Sequence, residues 1–317
     1  MQKTMFGRLC GAVLALALVG PAQAKDFSKP LALPANTLIN FTIQHEIHRT
    51  AEGTTPASDL TVTVRYRLNV DPNTQGYHVK INVIGVDLPS RVSALDRMAL
   101  TQASSTLSGL EYQADQDLMP VEVLNWTTQA GKLADSFADL MGVKHDDPAI
   151  TGMRDLYAAM TPAQASDSLL QEWSYPAIVQ NVELDLGPAL KADTSAPGAG
   201  GQQLKRQETM QLKSVSRSSN KATIEFHSAF DPASANAVGR ATVAALQAQI
   251  PTFPKYSEAQ LARLQIDETM DCAYEMDIRT GLATKSDCTK TAGSLDEKGT
   301  AKSQTDHWVI TQAIVAK

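Results

Sequence analysis

The chain has 317 residues, with 28 Lys and Arg against 34 Asp and Glu, which gives a formal net charge of −6 at neutral pH. An acidic chain without a basic cluster is a poor candidate for binding nucleic acid, or for binding an anionic membrane through charge. The length allows a sizeable core in one large domain or two smaller ones. Aromatic residues make up only 5% of the chain, so that core must consist largely of aliphatic side chains.

The first 24 residues have the order of a cleavable secretory signal peptide. Two basic residues, Lys3 and Arg8, precede an apolar run from Leu9 to Val19, and alanines follow at both of the positions that signal peptidase recognises. The apolar run is shorter than the ~20 residues that a transmembrane helix needs. We therefore predict cleavage between Ala24 and Lys25, a periplasmic or secreted mature protein, and no transmembrane segment in the mature chain.

Cleavage also removes the first of the three cysteines, and it leaves Cys272 and Cys288, a pair that an oxidising compartment favours as a disulfide. Apolar and polar residues alternate over 264–278, which is the period of a long half-buried strand. A three-residue turn that places Ile278 opposite Leu282 also places the two cysteines opposite each other. Opposed residues in a non-hydrogen-bonded pair lie ~4.5 Å apart between their Cα atoms, which is within disulfide range. We therefore predict a structural disulfide.

Period-two alternation marks further strands near both ends of the chain. The first of these strands places five residues on one face: Ile39, Phe41, Ile43, His45 and Ile47. Other strands are predicted over residues 60–70, 77–83, 204–216, 221–230 and 304–315. Alternation of this kind is typical of an antiparallel sheet with one face packed on a core.

The middle of the chain has helical periodicity instead. Apolar residues recur at helical spacing between Trp126 and Trp173, and both Asp147 and Thr161 precede a proline, as residues at helix starts do. Residues 187–202 are rich in Ser, Ala, Pro and Gly, and we predict a flexible loop there.

The chain is predicted to form a single β-rich domain over residues 25–317. The order of elements is similar in residues 25–145 and 203–317, which suggests two similar halves. A helical segment, 146–180, and the flexible loop 187–202 would join them. The predicted fold class is therefore α+β, with one large, curved, half-barrel-like antiparallel sheet and several packed helices.

This order of elements resembles the periplasmic half-barrel carriers of lipoproteins and lipids, of the LolA, LolB and LppX types, in which an antiparallel sheet curls around a few helices. The resemblance covers the order of elements over most of the mature chain and includes no diagnostic motif. It implies an apolar cavity between the concave sheet and the helices, and it assigns no individual functional residue.

Motifs for catalysis or metal binding are weak. His45 and His48 are three residues apart on a predicted strand, so their side chains point to opposite faces and do not clasp one ion. His145, Asp146 and Asp147 precede a proline, and a polar loop with a helix cap explains them better than a metal site. The sequence has no G-x-S-x-G elbow, and both mature cysteines are expected to be bonded. We therefore predict no catalytic residue, no metal ligand and no cofactor.

The candidate ligand-binding residues lie on the apolar faces of the predicted helices. They are Trp126, Phe137, Met141, Met153, Tyr157 and Trp173. Methionine side chains adapt to varied apolar ligands, which suits a carrier. The alternative is that these residues only fill the core against the sheet, because every amphipathic helix has such a face.

The leading hypothesis is a non-catalytic envelope protein that binds or chaperones a hydrophobic ligand, such as a lipid or an acylated protein. A structural or interaction protein of the envelope with a solid core is the alternative, followed by an unrecognised hydrolase. An empty apolar cavity would favour the first reading, and an exposed apolar edge the second. A polar cleft with clustered titratable groups would favour the third. The expected partner is a hydrophobic small molecule or another envelope protein, not nucleic acid.

Overall fold

The computed structural model describes residues 26–51, 57–90, 92, 97–98, 101, 104–197, 202–249, 255–263, 265–295 and 301–315. The signal peptide and its cleavage site lie outside the described residues and stay a prediction. Within the described ranges, no helix combines the length and the apolar character that a membrane span requires.

One antiparallel sheet of eleven strands dominates the described part of the chain. Its N-terminal block consists of β2 (Thr37–Ala51), β3 (Ala57–Asn73), β4 (Gly76–Asp87), β5 (Glu111–Ala114) and β6 (Pro120–Val123). Its C-terminal block consists of β8 (Ala189–Pro197), β9 (Gln203–Ser216), β10 (Lys221–Phe230), β11 (Gln265–Asp277), β12 (Leu282–Leu295) and β13 (Ala301–Ile314). Two short strands, β1 (Phe27–Ser28) and β7 (Glu183–Leu184), pair with each other apart from this sheet.

Each block is a meander, and the two blocks meet where β2 pairs with β13. The order across the sheet is β6-β5-β4-β3-β2-β13-β12-β11-β10-β9-β8, and the sheet is not closed. At the junction, Ile43 of β2 faces Ile310 of β13. The predicted α+β class with one large, curved antiparallel sheet is therefore confirmed, and both ends of the chain contribute to that sheet.

The helices between the two blocks follow one another closely. They are α1 (Trp126–Met141), α2 (Pro148–Ala158), α3 (Pro162–Leu169) and α4 (Gln171–Ala177), and two more occur later, α5 (Pro232–Gln249) and α6 (Glu258–Leu261). The Asp147 carboxylate accepts a hydrogen bond from the amide of Ala149, and Thr161 forms a capping box with Gln164. Local capping chemistry thus defines where α2 and α3 begin.

The helices cover one face of the sheet, which we call the inner face. It is the face to which Ile39, Phe41 and Ile43 of β2 point. Helix α3 packs against β6, α4 against β12, and α5 against β9 and β11. The main core lies between these layers, because inward-facing side chains of the strands and side chains of α4 belong to one buried cluster.

The predicted hairpin around the cysteines has the correct register at the cysteines and an incorrect turn. Cys272 faces Cys288 with the Cα atoms 4.1 Å apart, and the two residues form a disulfide. Closer to the turn, however, Asp277 rather than Ile278 faces Leu282. The pairing shifts by one residue next to Glu275, so a bulge in β12 compensates for a turn that is one residue longer than predicted.

The prediction of a flexible loop over residues 187–202 is wrong for its central part. Ala189–Pro197 forms β8, which pairs with β9 over nine residues. The composition that indicated a loop is tolerated because β8 is the last strand of the sheet, and only one side of it takes part in the ladder. Proline is compatible with such an edge strand.

Candidate functional site

Residues that face one another across neighbouring strands form rows over the inner face. Successive rows are two residues apart, which is roughly 7 Å along a strand. Three adjacent rows change from apolar to charged, so the inner face has two chemically different ends.

The first row, which we call the Ile43 row, is closed by packing. Its members are Leu212, Ile224, Tyr274, Ser286, Ile310, Ile43 and Val64. None of them is more than 8% exposed. This end of the inner face therefore forms core.

The next row, the His45 row, is buried in its centre and accessible at both ends. Its members are Leu190, Met210, Phe226, Cys272, Cys288, Trp308, His45 and Val62. The disulfide and Trp308 are buried, but Val62 and Met210 are only half-buried and Leu190 is 56% exposed. Apolar surface on the inner face thus starts to become accessible at this level.

The third row, the Ile47 row, carries charge. Its members are Ala192, Glu208, Ser228, Met270, Lys290, Asp306, Ile47 and Leu60. A charged side chain that faces inward loses hydration and needs compensating partners. Each of the three charged members of this row has such a partner, as described next.

Asp306 is held by two side chains from the inner face. Its Oδ1 lies 3.0 Å from Nε2 of His45, and its Oδ2 accepts a hydrogen bond of 2.7 Å from the amide of Gln304. The imidazole of His45 stacks on Trp308, with ring centroids 4.7 Å apart, and Tyr175 of α4 contacts the same indole at 5.0 Å. The aromatic contacts therefore fix the position of the histidine–aspartate pair beneath α4.

Helix α4 adds a second carboxyl group to this cluster. Burial raises the pKa of the half-buried Glu172, a backbone hydrogen bond and His45 lower it, and Asp306 raises it. Burial also raises the pKa of Tyr66, and the charge of Glu172 raises it further. The cluster thus places two acids and a histidine next to aromatic rings.

A second charged cluster lies towards the other side of the sheet. Glu268 of β11 binds Nη2 of Arg206 through Oε1 at 3.3 Å and Nζ of Lys290 through Oε2 at 3.0 Å. Burial raises the pKa of Glu208, whereas Arg206 and a hydrogen bond with Thr194 lower it. The inner face therefore presents basic and acidic groups directly beside accessible apolar side chains.

Two of the predicted ligand-binding residues contact each other away from these clusters. The indole of Trp126 donates a hydrogen bond of 3.0 Å to the backbone carbonyl of Tyr157, and their rings meet edge to face. Phe137 lies in a separate small cluster between α1 and α2, formed by Ala134, Ala138 and Ile150. These contacts join α1 to α2, and Trp126 also belongs to the main buried cluster that contains the strand residues.

The other predicted ligand-binding residues have different surroundings. Trp173 is buried on the inner face, stacked on Phe41 at 5.6 Å and in contact with Tyr66 at 5.0 Å. Met153 is half-buried, and Met141 is 59% exposed. The six residues therefore do not share one environment, and their role in binding stays a prediction.

Sequence reasoning missed the charged members of the inner face. His45 was placed on the correct face of its strand, but its partner Asp306 lies 261 residues further along the chain. The available signal was a polar residue in an otherwise apolar face, His45 after Ile43 and Asp306 before Trp308. The two polar residues lie in adjacent rows of neighbouring strands, and this is visible only when the strand pairing is known.

Among the residues that the structure describes, no group of three or more His, Cys, Asp or Glu side chains is arranged to hold an ion. The arrangement can instead provide apolar contact, hydrogen bonds and charge to one molecule that has both an apolar and a polar part.

Comparisons with known proteins assign no family. No family model and no curated protein matches the chain. One structural neighbour is an outer membrane channel from Pseudomonas putida, at 8% identity over 92% of this chain and 100% of that chain, with a TM-score of 0.17. A likeness this weak carries no argument about fold or function.

Proposed function

We propose that this chain is a non-catalytic protein of the bacterial envelope that binds an amphipathic, lipid-like ligand on the inner face of its sheet. The apolar part of the ligand would contact the accessible apolar side chains of the His45 and Ile47 rows. Its polar part would lie against the charged side chains beside them. The ligand is a lipid or the acyl group of an acylated protein.

The observation that supports this proposal is the incomplete burial of inward-facing apolar residues at one end of the sheet. Ile47, Leu60, Val62 and Met210 are half-buried although they face the covered side. In the Ile43 row, the residues of the same strands are buried. Apolar surface that water still reaches gains free energy when an apolar ligand covers it, by about 25 cal/mol per Å².

The envelope location is part of the proposal and rests on the sequence of the first 24 residues. The disulfide between Cys272 and Cys288 is in keeping with it, because disulfides persist mainly in oxidising compartments. Mass measurement of the protein from a periplasmic fraction would test this part directly. We expect the mass of a chain that begins at Lys25. The mass of the uncleaved chain, found in the cytosol, would contradict the envelope location.

The binding proposal is tested by native mass spectrometry of mature protein purified gently from the periplasm, followed by organic extraction. A reproducible lipid-sized adduct is expected. The variant Val62→Trp should lose it, because the larger ring occupies the accessible apolar surface at the end of the His45 row.

Thr63→Trp is the matched control, since Thr63 is the next residue of β3 and points to the opposite face. It should retain the adduct. A clean apo mass for the wild type, unchanged after incubation with envelope lipids, would refute ligand binding. That result would favour an interaction protein with a solid core.

A further inference from the structure

Two basic side chains face inward at the charged end of the inner face. Arg206 lies on β9 and Lys290 on β12, yet both bind the one carboxylate of Glu268, on different oxygens. The side chains of Arg206, Glu268 and Lys290 are 12, 20 and 24% exposed, respectively. The protein therefore already holds one anionic group between two cations in a partly dehydrated position.

Arg206 also has an unused hydrogen-bond donor. Its guanidinium lies over the ring of Phe230, 4.6 Å from the ring centroid, which orients the plane of the donors. Its Nε is buried and has no acceptor among the described residues. A buried donor of this kind gains from an added acceptor oxygen. Phosphates and carboxylates offer paired oxygens that match the donor spacing of a guanidinium.

Among the acids nearby, Glu268 is the one that forms ion pairs with both Arg206 and Lys290. Asp306, which faces Lys290 across the strand pair, is bound to His45 and Gln304. Glu208 has a hydrogen bond with Thr194. Arg206 also acts on Glu208 through its charge, but the ion pairs of both cations are with Glu268.

We propose that Arg206 and Lys290 form an anion subsite for the phosphate or carboxylate head group of an amphipathic ligand, and that Glu268 is the internal anion which the head group displaces. This inference rests on the proposed function, since the apolar part of the same ligand would contact the His45 and Ile47 rows. In the complex, Arg206 donates from Nε and Nη2, and the Lys290 ammonium binds a further oxygen. Glu268 turns towards the solvent to which it is already partly exposed.

The test compares three probes on the mature protein by isothermal titration calorimetry: dodecyl phosphate, dodecanol and inorganic phosphate. Dodecyl phosphate should bind about tenfold more tightly than dodecanol, or better, because charge-assisted hydrogen bonds are added. Inorganic phosphate should bind far more weakly than dodecyl phosphate. Arg206→Met should abolish the preference for the anionic probe.

Glu268→Gln gives the sharper result, because it keeps the size of the side chain and removes the competing charge. It should tighten the binding of dodecyl phosphate by about tenfold and leave dodecanol unchanged. Lys213→Met is the matched control. Lys213 also lies on β9, forms an ion pair with Glu225 at 3.1 Å and is well exposed, so its loss should change neither affinity.

Equal affinities for dodecyl phosphate and dodecanol, or no tightening by Glu268→Gln, would overturn the anion subsite and leave ligand binding itself intact. Failure of both amphiphiles to bind would refute the proposed function together with the subsite. Inorganic phosphate binding as tightly as dodecyl phosphate would overturn the head-group assignment in favour of a free anion. If Arg206→Met does not fold, Glu268→Gln still decides between these outcomes.

Discussion

Opening the disulfide between Cys272 and Cys288 should lower the free energy of unfolding by about 3 kcal/mol at 25 °C. The two cysteines are 16 residues apart, and closing a loop of that length removes a corresponding amount of conformational entropy from the unfolded chain. They face each other directly in the ladder between β11 and β12, and both are buried. The folded structure can therefore stay the same after reduction. The loss of stability then comes mainly from the unfolded chain, which gains conformational entropy without the cross-link.

The assay is urea unfolding of protein produced as residues 25–317, monitored by tryptophan fluorescence, with and without a thiol reductant. The double variant Cys272→Ala/Cys288→Ala is the control, and reductant should not change its midpoint. This variant should be less stable than the reduced wild type by about 1–2 kcal/mol, because removing two buried sulfurs leaves unfilled volume.

Either of two results would refute this reasoning. Identical urea midpoints for oxidised and reduced wild type would show that the cross-link does not constrain the unfolded chain. Two free thiols in unfolded protein that was never reduced would show that the cysteines do not bond in the mature protein.

Four further substitutions test the fold and the charged cluster. Gly281→Ala should lower the free energy of unfolding in urea by about 3 kcal/mol or more, because φ is +73° and a Cβ would lie 2.8 Å from the carbonyl oxygen of Lys29. Gly142→Ala is the control. Its φ is +65° but the space around it is open, so the loss should be only about 1 kcal/mol. Thr161→Ala should lower stability by about 1 kcal/mol in the same assay, because it removes the capping box of α3. The pKa of Glu172 is raised in the folded protein, so the folded state binds the proton more tightly than the unfolded state does. The protein should therefore lose stability as the pH rises above about 4.3, the pKa of a glutamate in the unfolded chain. Glu172→Gln should therefore raise the urea midpoint around pH 8, with no difference near pH 4; an equal gain at both pH values would contradict this assignment.

The cysteine hairpin shows what local pattern can predict. Alternation from 264 to 278 identified a strand, and the direct opposition of Cys272 and Cys288 was predicted correctly. The turn was wrong because a bulge adds one residue to β12 without changing the pattern around the cysteines. The sign of the bulge was the pair Leu282 and Ala283, two consecutive buried apolar residues where strict alternation allows one.

Strand order could not be predicted in the same way. Alternation tells which residues of a strand face the core, but it does not tell which strands are neighbours. The pairing of β2 with β13 joins the two ends of the chain, and it is this pairing that brings His45 to Asp306. The sequence could therefore predict which face of the strands carries the candidate site, but it could not predict the pairing of the charged residues on that face.

The charged side chains on the inner face contribute little to stability. A partly buried cluster such as Arg206, Glu268 and Lys290 recovers in mutual attraction roughly what it loses in hydration, and apolar residues in the same places are often as stabilising or more so. The same strands carry apolar residues further along the same face, namely Met210, Cys272 and Cys288, so the fold admits them. An exposed pair such as Lys221 and Glu275 on the outer face remains hydrated and contributes little. Core formation alone therefore does not account for charges on the inner face, whereas the proposed ligand with a charged group would.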